Sequence, residues 1–187
     1  MKRKIVAITG GIGSGKSQVC AILRQLGYAT VDCDALSRQI ADEKQVIAAV
    51  EKLLGSECVT NGAINRPKVR EVVFSDENLL KQYNAIFHGR VKNRLDEQIQ
   101  RTDGTVFVEI AVIDAFDYPF DEIWLVDSQQ QTRIERVTTR DKVSAENVEH
   151  IIQRQHYPNC TRVLHNDGTL QQLQKQVISA LKTSKIV

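Results

Sequence analysis

The chain has 187 residues, with 25 Lys and Arg against 23 Asp and Glu, a net charge of +2, and 42% hydrophobic residues. This is the composition of one ordinary folded domain, with or without a small insertion, and it is long enough for a proper core. So small a positive balance, spread along the chain, gives no field for nucleic acid or a membrane surface, and no apolar stretch approaches membrane-spanning length.

The four cysteines, Cys20, Cys33, Cys58 and Cys160, form no Cys-x-x-Cys pair and suit no zinc site. A reduced, cytoplasmic setting is the simplest expectation. The basic start Met1-Lys2-Arg3-Lys4 is followed by only a short apolar run, so it does not read as a targeting signal.

In chain order, residues 4–9 read as a buried strand and 16–26 as a helix stopped by Gly27. Residues 28–31 read as a second strand, ending at Asp32-Cys33-Asp34, and 35–54 as a helical region. Asn61-Gly62 is a turn signal, and Pro67 opens a short helix through Val73. Asp76 can cap a long amphipathic helix over 77–101. Asp103-Gly104 is a further turn. Residues 105–113 form a largely apolar run that reads as a strand buried on both faces, and 123–127 read as another. Helices are expected over 130–138, 145–155 and 170–181, with Ser144 and Asn147 approximating a capping pattern and a short last strand over 162–165. Strands alternating with helices imply an α/β fold with a mainly parallel sheet, whose ligands bind beyond the C-terminal strand ends.

Between the first strand and first helix lies Gly10-Gly11-Ile12-Gly13-Ser14-Gly15-Lys16-Ser17. Strand, G-x-x-x-x-G-K-[ST], helix is the full context of a phosphate loop. Glycines let successive backbone N–H groups turn inward on phosphate oxygens, and the helix adds its positive N-terminal end. Lys16 can reach the β- and γ-phosphates, and the Ser17 hydroxyl can ligate Mg²⁺. The bland alternative is a glycine turn with no ligand. The loop alone names no function. GTPases usually carry an Asn-Lys-x-Asp motif, which is absent, and helicases and large ATPases need longer chains. A small-molecule kinase fits the size, the helical middle segment and a late Arg-rich stretch. In that stretch Arg133, Arg136 and Arg140 recur at helical spacing, either to stabilise a transferring phosphoryl group or as a solvated basic face.

Several ordered segments resemble the dephospho-CoA kinase family. They are Thr9–Ser17, Asp32-Cys33-Asp34 with Arg38, Arg66 ahead of Val73-Phe74, Asn84-Ala85-Ile86-Phe87-His88, Arg136–Asp141 with Gln155, and Asn166-Asp167-Gly168. Four features depart from the family pattern: Gly89 replaces the usual Pro, Gln18 the usual Thr, the central strand ends Ala111-Val112-Ile113-Asp114-Ala115 in place of Pro-Leu-Leu-Phe-Glu, with Asp114 as the acidic candidate, and the stretch from Gln155 to Asn166 is short.

The resemblance implies a three-layer P-loop kinase fold with a core over about 1–34 and 102–187. It also implies a helical acceptor-binding insertion over about 35–101 and a lid over about 136–160. It implies ATP with Mg²⁺, and dephospho-CoA as the acceptor phosphorylated at its ribose 3′-hydroxyl. Gly11, Ile12, Gly13, Ser14, Gly15, Lys16, Ser17, Gln18, Arg140 and Asn166 would hold ATP, with Asn166 and Asp167 at its adenine or simply in a turn. Lys16, Arg136 and Arg140 would act on the transferring phosphoryl group. Asp34 would be the base, or merely cap the next helix; Asp32 would join Ser17 at the metal, or merely end a strand. Arg38, Arg66, His88 and Asp114 would hold the acceptor. For Arg38 and Arg66 the alternative is exposed surface, and for His88 a satisfied core position. Other kinases of the same fold, acting on nucleotides or shikimate, and a nucleotide-binding regulatory protein without transfer activity are the competing readings. Oligomeric state is not legible.

Overall fold

A computed structural model of the chain describes residues 3–73, 76–113, 118–157 and 159–186. The chain divides into two compact units. Among the described residues, the first comprises 3–32, 101–113 and those from Pro119 onward; the second comprises Cys33–Gln100 and Tyr118.

The first unit is built on five strands: β1 (Ile5–Thr9), β2 (Ala29–Asp32), β5 (Val106–Glu109), β6 (Glu122–Asp127) and β7 (Arg162–His165). Their order is β2-β5-β1-β6-β7, and every pairing is parallel. Val6, Ala7, Ile8, Val106, Phe107 and Val108 are fully buried, as expected of near-continuous apolar strands in a parallel sheet covered by helices. The helices of this unit are α1 (Lys16–Gln25), α6 (Gln130–Asp141), α7 (Ala145–Gln153) and α8 (Leu170–Thr183). Val19, Cys20 and Leu23 of α1 and Leu173, Val177 and Leu181 of α8 share one core with the sheet. Trp124 and Phe107 pack within it, their rings tilted by 60° with centroids 5.3 Å apart. Helix α8 opens on a reciprocal capping box: Thr169 Oγ1 accepts from Gln172 N at 3.3 Å and Gln172 Oε1 from Thr169 N at 2.8 Å.

The second unit holds α2 (Cys33–Ala41), α3 (Lys44–Leu54), the hairpin β3 (Val59–Thr60) and β4 (Ala63–Ile64), α4 (Arg66–Val73) and α5 (Glu77–Gln100). Helices α2 and α3 both pack on α5. The hairpin turns through Asn61 and Gly62 at φ 53° and 74°, the paired positive values of a type I′ turn. Asp76 caps α5, its Oδ1 accepting from Asn78 N at 2.8 Å and Leu79 N at 3.1 Å. Tyr118 Oη donates to Asp96 Oδ1 at 2.7 Å.

One expectation is refined and one corrected. The helical region over 35–54 is two helices, broken at Asp42-Glu43, whose N–H groups close the end of α2 onto Gln39 and Ile40 carbonyls. The strand expected over 105–113 ends at Glu109, with one further bond from Ile110 N to Ile8 O at 3.0 Å. Apolar character alone does not keep the run in the sheet: Val112 is 64% exposed.

At the start of β6, buried Glu122 ties four segments of the first unit together. Its Oε1 accepts from Lys4 Nζ at 2.8 Å, and its Oε2 from Trp124 Nε1 at 3.0 Å and Ser184 Oγ at 2.6 Å. Arg162 Nε lies 3.4 Å away. Burial pushes the carboxyl pKa up, but the hydrogen bonds from Lys4, Ser184 and Trp124 outweigh it and bring the pKa from 4.5 down to about 2. A carboxyl depressed on folding stabilises the native state above pH 4.5 and loses that contribution as pH falls through 2. The shift corresponds to roughly 3 kcal/mol at neutral pH. We therefore expect Glu122→Gln to be less stable at pH 7 by roughly 2–3 kcal/mol, with the gap to wild type closing between pH 5 and pH 2. Urea titrations across that range check this; a gap that does not change with pH would contradict the assignment.

Candidate active site

The phosphate loop leaves the C-terminal end of β1 and enters α1. The helix N-cap is Gly15, in the left-handed region at φ 98°, and no side chain caps the helix. A side chain there would also collide with the Asn166 amide. Among the described residues, the N–H groups of Gly13, Gly15 and Ser17 meet no acceptor. An uncapped helix start with N–H groups lacking partners is an anion site in waiting. Lys16 lies within it, its Nζ donating to Gly10 O at 2.9 Å and Gly11 O at 3.3 Å.

Three further side chains meet the loop's other carbonyls. Arg133 Nε donates to Ile12 O at 2.9 Å. Arg136 Nη1 donates to Gly13 O at 3.3 Å, Ser14 O at 3.4 Å and Ser128 Oγ at 3.0 Å, and its Nη2 to Asn166 O at 2.7 Å. Asn166, nearly fully buried, donates from Nδ2 to Ser14 O at 2.8 Å and to Gln18 Oε1 at 3.0 Å. Neither guanidinium has a carboxylate partner among the described residues. Among the described residues, Arg133 and Arg136 are thus bonded to neutral oxygens, which leaves their positive charge at the loop. The buried Ser14 hydroxyl has no partner among the described residues.

The sequence-predicted residues fall as follows. Gly11, Ile12, Gly13, Ser14, Gly15, Lys16 and Ser17 form the loop, and Gln18, Arg136 and Asn166 join it in one network. Every hydrogen bond described for Arg136 goes to the loop or to the residues bracing it. Asp167 Oδ1 accepts from Gln129 N at 2.8 Å, just before α6. Arg140 stands apart at the exposed end of α6, its Nε and Nη2 each 2.7 Å from the carboxylate of Asp141. That pair raises the Arg140 pKa and lowers that of Asp141. Asp114 lies outside the described residues.

Asp32 ends β2 and is in register with Glu109, the last residue of the adjoining β5. Glu109 also lies beside Cys20 of α1 and, after burial itself, is the main cause holding that thiol protonated. Two carboxylates thus end neighbouring strands on the edge from which the loop departs. With the Ser17 hydroxyl, the donor set in this unit is all oxygen, the chemistry that suits a hard divalent ion such as Mg²⁺.

In the second unit, Asp34 and Arg38 lie four residues apart on α2, both exposed, and so share a face of that helix. Arg66 begins α4 and is exposed. Burial raises the Tyr83 pKa, and the positive charges of Arg66 and Arg70 oppose it. Tyr83 also packs on Phe87 at 5.2 Å between ring centroids. Half-buried His88 follows on α5, its pKa held below 6.5 by burial, so at neutral pH it is an uncharged imidazole.

Arg133, expected at a phosphoryl group or on a solvated face, and Gln155 instead meet at the loop, where Tyr157, which the sequence did not single out, joins them. Arg133 is 4% exposed. The available signal was spacing: 133, 134 and 137 form the buried stripe of α6.

Comparison with known proteins then places the chain. Residues 4–175 match the dephospho-CoA kinase family. The dephospho-CoA kinase of Hydrogenovibrio crunogenus is 32% identical, over 96% of this chain and 98% of that one. The chain belongs to the dephospho-CoA kinase family. The crystal structure of TT1252 from Thermus thermophilus is 32% identical and superposes with a TM-score of 0.86, covering 98% of both chains. Shikimate kinase from Bacteroides thetaiotaomicron shares the fold alone, at 12% identity and a TM-score of 0.59 over 97% of this chain and 98% of that one. The fold is therefore that of the P-loop kinases.

Asn166 offers a direct test of the brace. Asn166→Asp removes the two amide donor bonds and sets a carboxylate against the Ser14 carbonyl. We expect a loss of about 1–3 kcal/mol in stability and weaker ATP binding. Chemical denaturation and calorimetric titration with ATP measure both; unchanged affinity would contradict the role given to this side chain.

Proposed function

We propose that this protein transfers the γ-phosphoryl group of ATP to the ribose 3′-hydroxyl of dephospho-CoA, giving coenzyme A and ADP. Membership of the dephospho-CoA kinase family over residues 4–175 carries this reading. The loop geometry supports it chemically, because phosphoryl transfer needs positioned donors and cations more than covalent chemistry.

The triphosphate would lie on the N–H groups of Gly13, Gly15 and Ser17, with the Lys16 ammonium at its β- and γ-phosphates. A magnesium ion held by Ser17 and Asp32 would neutralise phosphate charge. Asp34 accepts the proton of the attacking 3′-hydroxyl and orients that oxygen. Arg38 and Arg66 hold phosphates of the acceptor through charge-assisted hydrogen bonds, with Arg70 and Tyr83 beside Arg66 as further contacts. His88, neutral at physiological pH, serves as a hydrogen-bonding contact to the acceptor. Arg140 reaches a phosphate by exchanging its Asp141 partner for it. The protein acts in the cytoplasm, where both substrates would be available.

The Asp34→Asn variant should bind ATP normally and turn over roughly 10²–10⁴ times more slowly, the range for a positioned general base. Lost ATP affinity with normal turnover at saturation would move Asp34 to the metal. Arg66→Ala should raise the Michaelis constant for dephospho-CoA more than that for ATP, by about 1.5–3 kcal/mol of binding energy. Equal effects on both constants would make Arg66 a structural residue only.

A further inference from the structure

Arg133 is a buried cation that the family reading does not use. All three of its guanidinium nitrogens donate: Nε to Ile12 O at 2.9 Å, Nη1 to Tyr157 Oη at 2.7 Å and Nη2 to Gln155 Oε1 at 2.6 Å. Gln155 Oε1 also accepts from Ile12 N at 3.1 Å. The contacts close a ring: Ile12 N–H to Gln155, Gln155 to Arg133, Arg133 back to Ile12 C=O. Both backbone groups of the residue between Gly11 and Gly13 are thereby fixed by side chains more than a hundred residues away in sequence. The guanidinium lies directly over Gly11, where a methyl group would meet Arg133 Nη2 and Cζ and Tyr157 Oη. Gly11 is therefore glycine because of close approach, since its φ is not positive.

We propose that Arg133, oriented by Tyr157 and Gln155, is a positioning residue for nucleotide binding: it holds the phosphate loop at Ile12 in the shape that receives the triphosphate. The proposal rests on the kinase reading only in taking ATP as the ligand. Three acceptors are met by one planar fork, which an ammonium cannot imitate. Its positive charge, bonded among the described residues to neutral oxygens, is best satisfied when polyphosphate occupies the loop. The N–H groups of Gly13, Gly15 and Ser17 stay available, because the brace takes the N–H of Ile12 and none of theirs.

The test is direct ATP binding by calorimetry, with no acceptor present, alongside thermal denaturation and steady-state kinetics. Arg133→Lys should weaken ATP binding by roughly 10- to 100-fold, leave kcat at saturating ATP within about threefold, and leave the Michaelis constant for dephospho-CoA unchanged. Tyr157→Phe, a change at a half-exposed residue that leaves the fold intact, should weaken ATP binding by roughly two- to fivefold. Gly11→Ala should be severe in the wild-type background and milder beside Arg133→Ala, which removes the guanidinium contacts and leaves only Tyr157 Oη in the way of the methyl. Arg133→Lys binding ATP as wild type does, losing melting temperature without losing affinity, or additive effects of Gly11→Ala and Arg133→Ala would overturn the proposal. Wild-type protein that binds ATP but does not phosphorylate dephospho-CoA would overturn the proposed function and leave this inference standing.

Discussion

A backbone that points its N–H groups at an anion must point its carbonyls away, and those carbonyls then need donors of their own. Much of this protein's first unit answers that constraint. Arg133, Arg136 and Asn166 bond the carbonyls of Ile12, Gly13 and Ser14 from behind the loop. Each comes from an element placed by the sheet: α6 follows β6, and Asn166 follows β7, whose ladder it extends through Asn166 N to Asp127 O at 2.8 Å. The parallel strands thus deliver the bracing residues to the loop as well as the loop itself. A cation serves better here than a neutral donor, since it binds carbonyl oxygens while adding to the field that attracts polyphosphate.

The opposite end of the same strands carries a different device. Glu122 binds Lys4, Trp124 and Ser184 side chains, closing the chain's first strand onto its last helix. Its carboxylate is fully paired, whereas the guanidiniums at the loop have no carboxylate partner among the described residues. That contrast separates charge used for stability from charge kept for a ligand.

Much of this was legible in the residues. The glycine loop, the strand before it and the helix after it follow from composition and period, as do the Asn61-Gly62 turn, the Asp76 cap and the short strand at 162–165. Thr169 and Gln172 also spelled out a capping box that local reading passed over. What stayed hidden depended on tertiary placement. The apolar run 105–113 cannot reveal that its pairing stops at Glu109, nor that this residue ends its strand beside Asp32. Three arginines on one helix cannot reveal which one is buried. Arg133 braces the loop, Arg136 joins it, and Arg140 faces solvent beside Asp141, because a helix turns about 100° per residue and only part of its surface meets the core.

The identity of the acceptor decides the function, and the wild-type protein can reveal it. Purified chain with ATP and Mg²⁺ is given dephospho-CoA, shikimate or a nucleoside monophosphate, each alone, while ADP release is followed and the product is read by phosphorus NMR. The account predicts ADP release with dephospho-CoA and a new phosphomonoester on its ribose, with no transfer to the other two. Transfer to shikimate or to the nucleoside monophosphate but not to dephospho-CoA, or ATP hydrolysis indifferent to all three, would contradict it.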